Sequence, residues 1–204
     1  MRPTILAAMA ILLTACAGGL ERNAPEPAVY RLTAPAVQGG APIAADLQVL
    51  RLVVAPGLAT DRIATAWPGN RIDYYAGARW SDELATMAQG TLVDAIRSAG
   101  RVRLVQGDPG HFRATHVLGV EIVRLEADYS GGGTPVARVT IAATVARYGD
   151  RRALMAMTAS AETAAPANTL TAVIAALDEA FGKAAAEVVT RTGDALAADL
   201  AGQP

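Results

Sequence analysis

The chain has 204 residues, a length that suits one domain or two small ones. Its residues are 52% apolar and 18% charged, with a formal net charge of −1, which supplies a core and excludes wholesale disorder. The near-zero charge argues against a nucleic-acid-binding protein, which needs a basic face to displace phosphate counterions, and no uninterrupted apolar stretch is long enough to cross a bilayer as a helix.

The first sixteen residues carry an export signal. Arg2 supplies one positive charge, Ile5 to Leu13 form an unbroken apolar run, and Thr14, Ala15 and Cys16 follow. A basic start, a short apolar centre and small residues before the cut describe a secretory signal peptide, too short for a membrane span. Leu13-Thr14-Ala15-Cys16 matches the bacterial lipobox, in which the Cys thiol receives diacylglycerol, the chain is cut just before the Cys, and the amine so freed takes a further fatty acid such as palmitate. Cys16 is the one cysteine of the sequence, so an internal disulfide is impossible. Processing therefore gives a signal peptide over 1–15, a lipidated start and flexible tether over 16–28, and a single periplasmic domain over 29–204. Two acyl chains suffice for stable anchoring. Ala17, rather than Asp, after the cysteine is the sorting pattern of Gram-negative outer-membrane lipoproteins.

The mature chain reads mostly as strands with two helices. Residues 17–28 are Gly-, Pro- and Ala-rich and carry no apolar period. Val29 to Thr33 reads as a short strand and Leu47 to Ala55 as a strong one closed by Pro56-Gly57. Asp61 to Trp67 and Arg71 to Gly77 flank Pro68-Gly69-Asn70 as a hairpin, whose polarity predicts a place at a sheet edge. A helix follows, with Ser81 as its N-cap and Leu84, Met87, Ala88, Thr91, Leu92, Ala95 and Ile96 on one face, and Gly100 closes it. Val102 to Val105 is a short strand. Val117 to Tyr129, Val136 to Tyr148 and Arg152 to Thr163 alternate and are joined by short turns, which predicts an antiparallel three-strand meander. From Asn168 or Thr169 a long helix buries Leu170, Val173, Ile174, Leu177, Phe181, Ala184, Ala185, Val188 and Val189, with Gly193 expected to kink or end it. The predicted class is α/β with α+β character: a mixed sheet packed by a middle helix and a long C-terminal helix.

Chemistry-bearing patterns are sparse. His111 and His116 lack the third and fourth ligands that zinc needs and read as exposed loop histidines. Ser81, Ser98, Ser130 and Ser160 lie in no nucleophile-elbow setting. Ser130-Gly131-Gly132-Gly133-Thr134 is followed by a strand rather than a helix, so it reads as a hairpin turn and not a phosphate cradle. Glu121, Glu126 and Asp128 read as solvated acids of one strand, and Asp61, Arg62 and Arg79 as ion-pair partners. No metal, cofactor or catalytic residue is expected.

Pro56 to Leu92 carries a recognisable order of elements: Pro56, Leu58, Arg62-Ile63, Asn70, Arg71, Ile72, Tyr74, Tyr75, Arg79-Trp80-Ser81 and Leu92. With Tyr30-Arg31-Leu32, the lipobox and Glu126-Ala127-Asp128-Tyr129, it resembles the ABC-type transport auxiliary lipoprotein family, which includes the paraquat-inducible C-like lipoproteins of MCE-type lipid transport systems. The resemblance spans nearly all of the mature chain. It implies a non-enzymatic accessory that docks an MCE-domain protein of an ABC lipid transporter at the outer membrane, with phospholipid as cargo and, in some members, ring-shaped homo-oligomers. Tyr74, Tyr75, Arg79 and Trp80 are candidate partner-interface residues, weighed against simple packing. Two other readings stand beside this one: a general outer-membrane assembly or structural lipoprotein, such as a lipopolysaccharide-export factor or a secretin pilot, and a periplasmic hydrolase resting on Ser130 or His111.

Overall fold

The computed structural model describes residues 26–202. The lipobox, Cys16 and most of the tether lie outside the described residues. Nine strands make one mixed sheet: β1 (Ala28–Tyr30), β2 (Ile43–Val49), β3 (Val53–Val54), β4 (Arg62–Trp67), β5 (Arg71–Trp80), β6 (Val102–Gln106), β7 (His116–Asp128), β8 (Val136–Arg147) and β9 (Ala153–Ala164). Two helices, α1 (Leu84–Ala99) and α2 (Leu170–Ala201), complete the predicted α/β architecture.

The thirteen-residue strand β7 is the spine. Along one edge it pairs antiparallel with β8, and β8 with β9, which forms the meander expected from the alternation. The other edge is shared in tandem by three parallel strands: β2 at His116–Leu118, β3 at Glu121–Ile122 and β4 at Ala127–Asp128. The predicted strand over 47–55 is therefore two strands, because each half follows a different stretch of β7. The hairpin β4–β5 lies one strand in from the edge, since β1 pairs outside β5.

The alternation of β7 changes phase at a bulge. Register slips between Ile122 and Arg124, so Ile122 and Leu125 both face the core while Val123 stays 45% exposed. One surplus residue reverses which parity points inward. In β5 the irregularity is larger: Arg62 faces Arg79 and Ala64 faces Tyr74, so three extra residues of β5 bow out, with Gly77 at φ +69°. A glycine in a strand pattern is the local sign of such a bow.

α1 buries the predicted stripe and closes with Gly100 in the left-handed conformation. Its N-cap is Glu83, without a side-chain cap, and not Ser81, whose backbone N–H donates to the Tyr30 carbonyl (2.7 Å) and so holds β1 to the end of β5. α2 starts where predicted, Thr169 accepting from the Ala172 N–H. It runs through Gly193 without ending and packs on β7, β8 and β9. Phe181, Leu177, Leu196, Leu118, Ile122, Leu125, Ile141 and Trp80 fill the space between helices and sheet. Burying each contributes roughly 1.5–3 kcal/mol of transfer free energy.

Candidate functional site

Chemistry-bearing side chains collect at two ends of β7. At its C-terminal end, Trp67 closes β4 and Tyr129 follows β7, and their rings stack at 4.6 Å with 6° between planes. The Arg71 guanidinium lies over the Trp67 ring, 5.1 Å from its centre. The Trp67 indole N–H donates to Thr65 Oγ1 at 3.0 Å, which fixes the ring. Tyr129 donates its hydroxyl proton to Asn168 Oδ1 (2.9 Å), so Tyr75, at 2.5 Å, donates to Tyr129. Burial first, and then this hydrogen bond, hold the Tyr75 phenol well above the usual tyrosine range. The chain ties three elements that are distant in sequence: the bowed part of β5, the end of β7 and the start of α2.

Beside the cluster is an open recess of about 380 Å³, lined among others by Trp67, Arg71, Ile72, Val123, Arg124 and Glu126. Arg124 pairs with Glu126 at 3.1 Å. Burial is the leading effect on Glu126 and raises its pKa, against the pull of Arg124. Asp128 moves the other way: the Ser130 side chain first, then the Ser130 backbone N–H (2.8 Å) and Arg138 Nε (2.7 Å), stabilise its carboxylate and lower its pKa. Arg138 also pairs with Glu162 across the meander. These acids are thus members of a partly buried ion-pair row and not simply solvated.

At the N-terminal end of β7, His116 is 2% exposed, where an exposed loop residue was expected. Its Nδ1 lies 2.8 Å from Thr115 Oγ1 and its Nε2 3.2 Å from Asp199 Oδ2. Arg147 Nη2 donates to Asp199 Oδ1 at 2.6 Å. The last turns of α2 cover this corner, which is why a strand-start residue becomes interior. His111 is exposed in the 107–115 loop, as expected. Among the described residues no three His, Cys, Asp or Glu side chains converge in a way that could hold a metal ion, and no helix is long and apolar enough to cross a membrane.

The four residues singled out in the sequence are not brought together as one surface. Trp80 is 1% exposed and packs in the core. Tyr74 donates to the Gly57 carbonyl (2.8 Å), with the Arg62 guanidinium 4.1 Å from its ring centre. Arg79 pairs with Asp61 at 3.4 Å, as the sequence suggested. Tyr75 alone joins the cluster. Its partners Trp67, Arg71, Tyr129 and Asn168 were missed as site residues. The usable signal was that Trp67 and Tyr129 each stand immediately before a turn.

The family model described as the ABC-type transport auxiliary lipoprotein component matches residues 30–189, most of the chain and all but the end of the fold. The chain belongs to this family. No curated protein matches the chain. Among solved structures, protein XCC0632 from Xanthomonas campestris superposes with a TM-score of 0.79 at 22% identity, covering 85% of this chain and 98% of its own. An uncharacterised protein superposes at 0.62, with 14% identity and coverage of 82% and 99%. The hypothetical protein CT253 from Chlamydia trachomatis does so at 0.50, with 10% identity and coverage of 76% and 99%. At these identities the likenesses show a shared fold. The transport auxiliary lipoprotein family supplies the coarse role: an accessory of a transporter, lipid-anchored in the cell envelope by class.

Proposed function

We propose that this transport auxiliary lipoprotein is anchored through acylated Cys16 to the periplasmic face of the outer membrane of a Gram-negative bacterium. There it docks an ABC/MCE-type intermembrane lipid transport system and does no chemistry of its own. The carrying observation is the family match over residues 30–189, downstream of Leu13-Thr14-Ala15-Cys16 in the same chain. The filled space between sheet and helices supports docking over lipid carriage within the domain, because a carrier needs a large apolar concavity. Phospholipid is then the cargo of the partner.

Gentle crosslinking in cells, purification of the intact lipoprotein in mild detergent and mass spectrometry test this reading. An MCE-domain protein is the expected companion, and the same material reports whether copies of the chain associate with each other. Recovery of only a barrel, a secretin or peptidoglycan overturns the reading in favour of a general structural lipoprotein.

A further inference from the structure

The chain enters its first strand from a defined end of the domain. β1 runs parallel to β5 with Ala28 opposite Ala78, so the residues before it arrive from the side of Arg71 and the 68–70 turn. β4 and β7 both finish at that end, Ala66 opposite Asp128, and β8 begins and β9 finishes there, Val136 opposite Ala164. Three loops therefore lie at one end: 68–70, 129–135 and 165–169. Their sequences, PGN, YSGGGTP and APANT, contain no charged residue. At the opposite end the loops 107–115 and 148–152 carry Asp108, Arg113, Asp150, Arg151 and Arg152.

Behind these uncharged loops lie the half-buried Trp67–Tyr129 stack and Ile72, 51% exposed, with the charges nearest the loops, Asp128 and Arg138, held in an ion pair. Amphipathic rings of this kind favour the boundary between lipid and water, and uncharged loops lose little hydration free energy against headgroups. Tether length points the same way. Ten residue steps separate Cys16 from Glu26, a reach of at most about 33–36 Å. Val29 pairs with Arg79, which faces Arg62, so Glu26 enters level with about Thr65, roughly 7 Å short of Trp67 at about 3.3 Å per strand residue. An anchor at Cys16 thus passes this end by no more than about 25–30 Å at full stretch, and the chain leaves the domain toward it.

We propose that this end is a membrane-contact surface: loops 68–70, 129–135 and 165–169 rest on the headgroups of the leaflet that holds the Cys16 acyl chains, with Trp67 at the interface. The proposal builds on the acylated-Cys16 reading. The docking partner is then met by the remaining faces of the domain.

The sequence has two tryptophans, and Trp80 is enclosed in the core near the far end of β5, so quenching by lipid-borne bromine reports Trp67. Two preparations are placed on phosphatidylethanolamine/phosphatidylglycerol vesicles brominated near the headgroups. One is the natural lipoprotein; the other is the unacylated chain coupled through Cys16 to a maleimide phospholipid. We expect Trp67 emission to fall roughly by half in both, Trp67→Phe to abolish the quenching, and a gadolinium headgroup lipid to broaden the amide signals of 68–70 and 130–134. Vesicle-bound maleimide-coupled protein without quenching or broadening overturns the contact surface, and so does shielding of these loops only when a soluble protein partner is added. Failure of the natural form alone to float with vesicles overturns the acylation reading and leaves the surface supported by the coupled form.

Discussion

Asp199 is the residue on which the corner at the start of β7 depends. Its side chain is 4% exposed, receives Arg147 at 2.6 Å and lies 3.2 Å from His116, so its removal strands polar groups of two strands under the end of α2. Asp199→Ala is expected to lower stability by about 3 kcal/mol, read as a fall in denaturant midpoint with an unchanged slope. Glu126 gives a pH dependence of opposite sense to an ordinary paired acid. Burial raises its native pKa above the ordinary glutamate value of 4.5, so the native state holds the proton more tightly than the unfolded chain does. Its contribution is therefore most favourable at low pH and declines as pH rises from the unfolded value through the raised native one. Asp128, with its lowered pKa, contributes above its unfolded value and loses that contribution as pH falls through the native one. Glu126→Gln should flatten the decline on the alkaline side of 4.5 and leave the acid-side loss from Asp128 in place, as measured by unfolding free energy against pH. An equal loss of stability at every pH would exclude burial as the cause. Neither residue's role was legible in the sequence: Glu126 alternates like a surface acid, and the group that buries His116 lies 83 residues downstream.

Elements were legible in kind and misplaced in detail where a backbone irregularity intervened. The phase change at Val123 and the bow of β5 around Gly77 redirect side chains without altering composition. Gly193 is the clearest case. As a glycine in a helical pattern it suggested a kink or an end, yet α2 continues through it to Ala201, and the missing side chain instead leaves room for Arg101. A methyl group at Gly193 would lie 2.8 Å from Arg101 Nη1, and one at Gly40 would lie 2.8 Å from Arg101 Nε, so the guanidinium is held between two glycines while it pairs with Asp194 at 3.0 Å. Replacing an interior helical glycine by alanine ordinarily gains about 0.5–1 kcal/mol. Here Gly193→Ala is expected to destabilise, and the same substitution in an Arg101→Ala background to stabilise. Denaturation of the four proteins of this double-mutant cycle reads the coupling directly, and equal effects in both backgrounds would exclude the clasp.

For the whole molecule, the domain is expected to fold independently of its anchor. The described core draws on residues from Leu32 to Leu196, all downstream of the tether. Cys16→Ser should leave the circular dichroism spectrum and thermal midpoint of the domain unchanged, move the protein from the membrane to the soluble periplasmic fraction, and abolish its part in transport. Full transport by the unlipidated form would remove the anchor from the mechanism. The contrast between uncharged loops at one end and charged loops at the other becomes visible only at this scale, because loops 68–70, 129–135 and 165–169 meet only after β7 has aligned β4, β8 and, through β8, β9 along its length.

The sequence by itself determined the covalent and local features: the Leu13-Thr14-Ala15-Cys16 motif, the kind and order of nearly all elements, the meander, both helix stripes and the family. These depend on a few neighbouring residues, either as an extended recognition motif or as a period of two or 3.6 that places apolar groups on one face. Only the tertiary structure decided that β7 serves three parallel partners on one edge, that Trp80 and His116 are interior, and that Trp67, Tyr75, Tyr129 and Asn168 form one cluster. Each of these is a contact between residues far apart in the chain. Its existence depends on strand register, on two bulges and on which element covers which, and a local pattern carries no record of any of them.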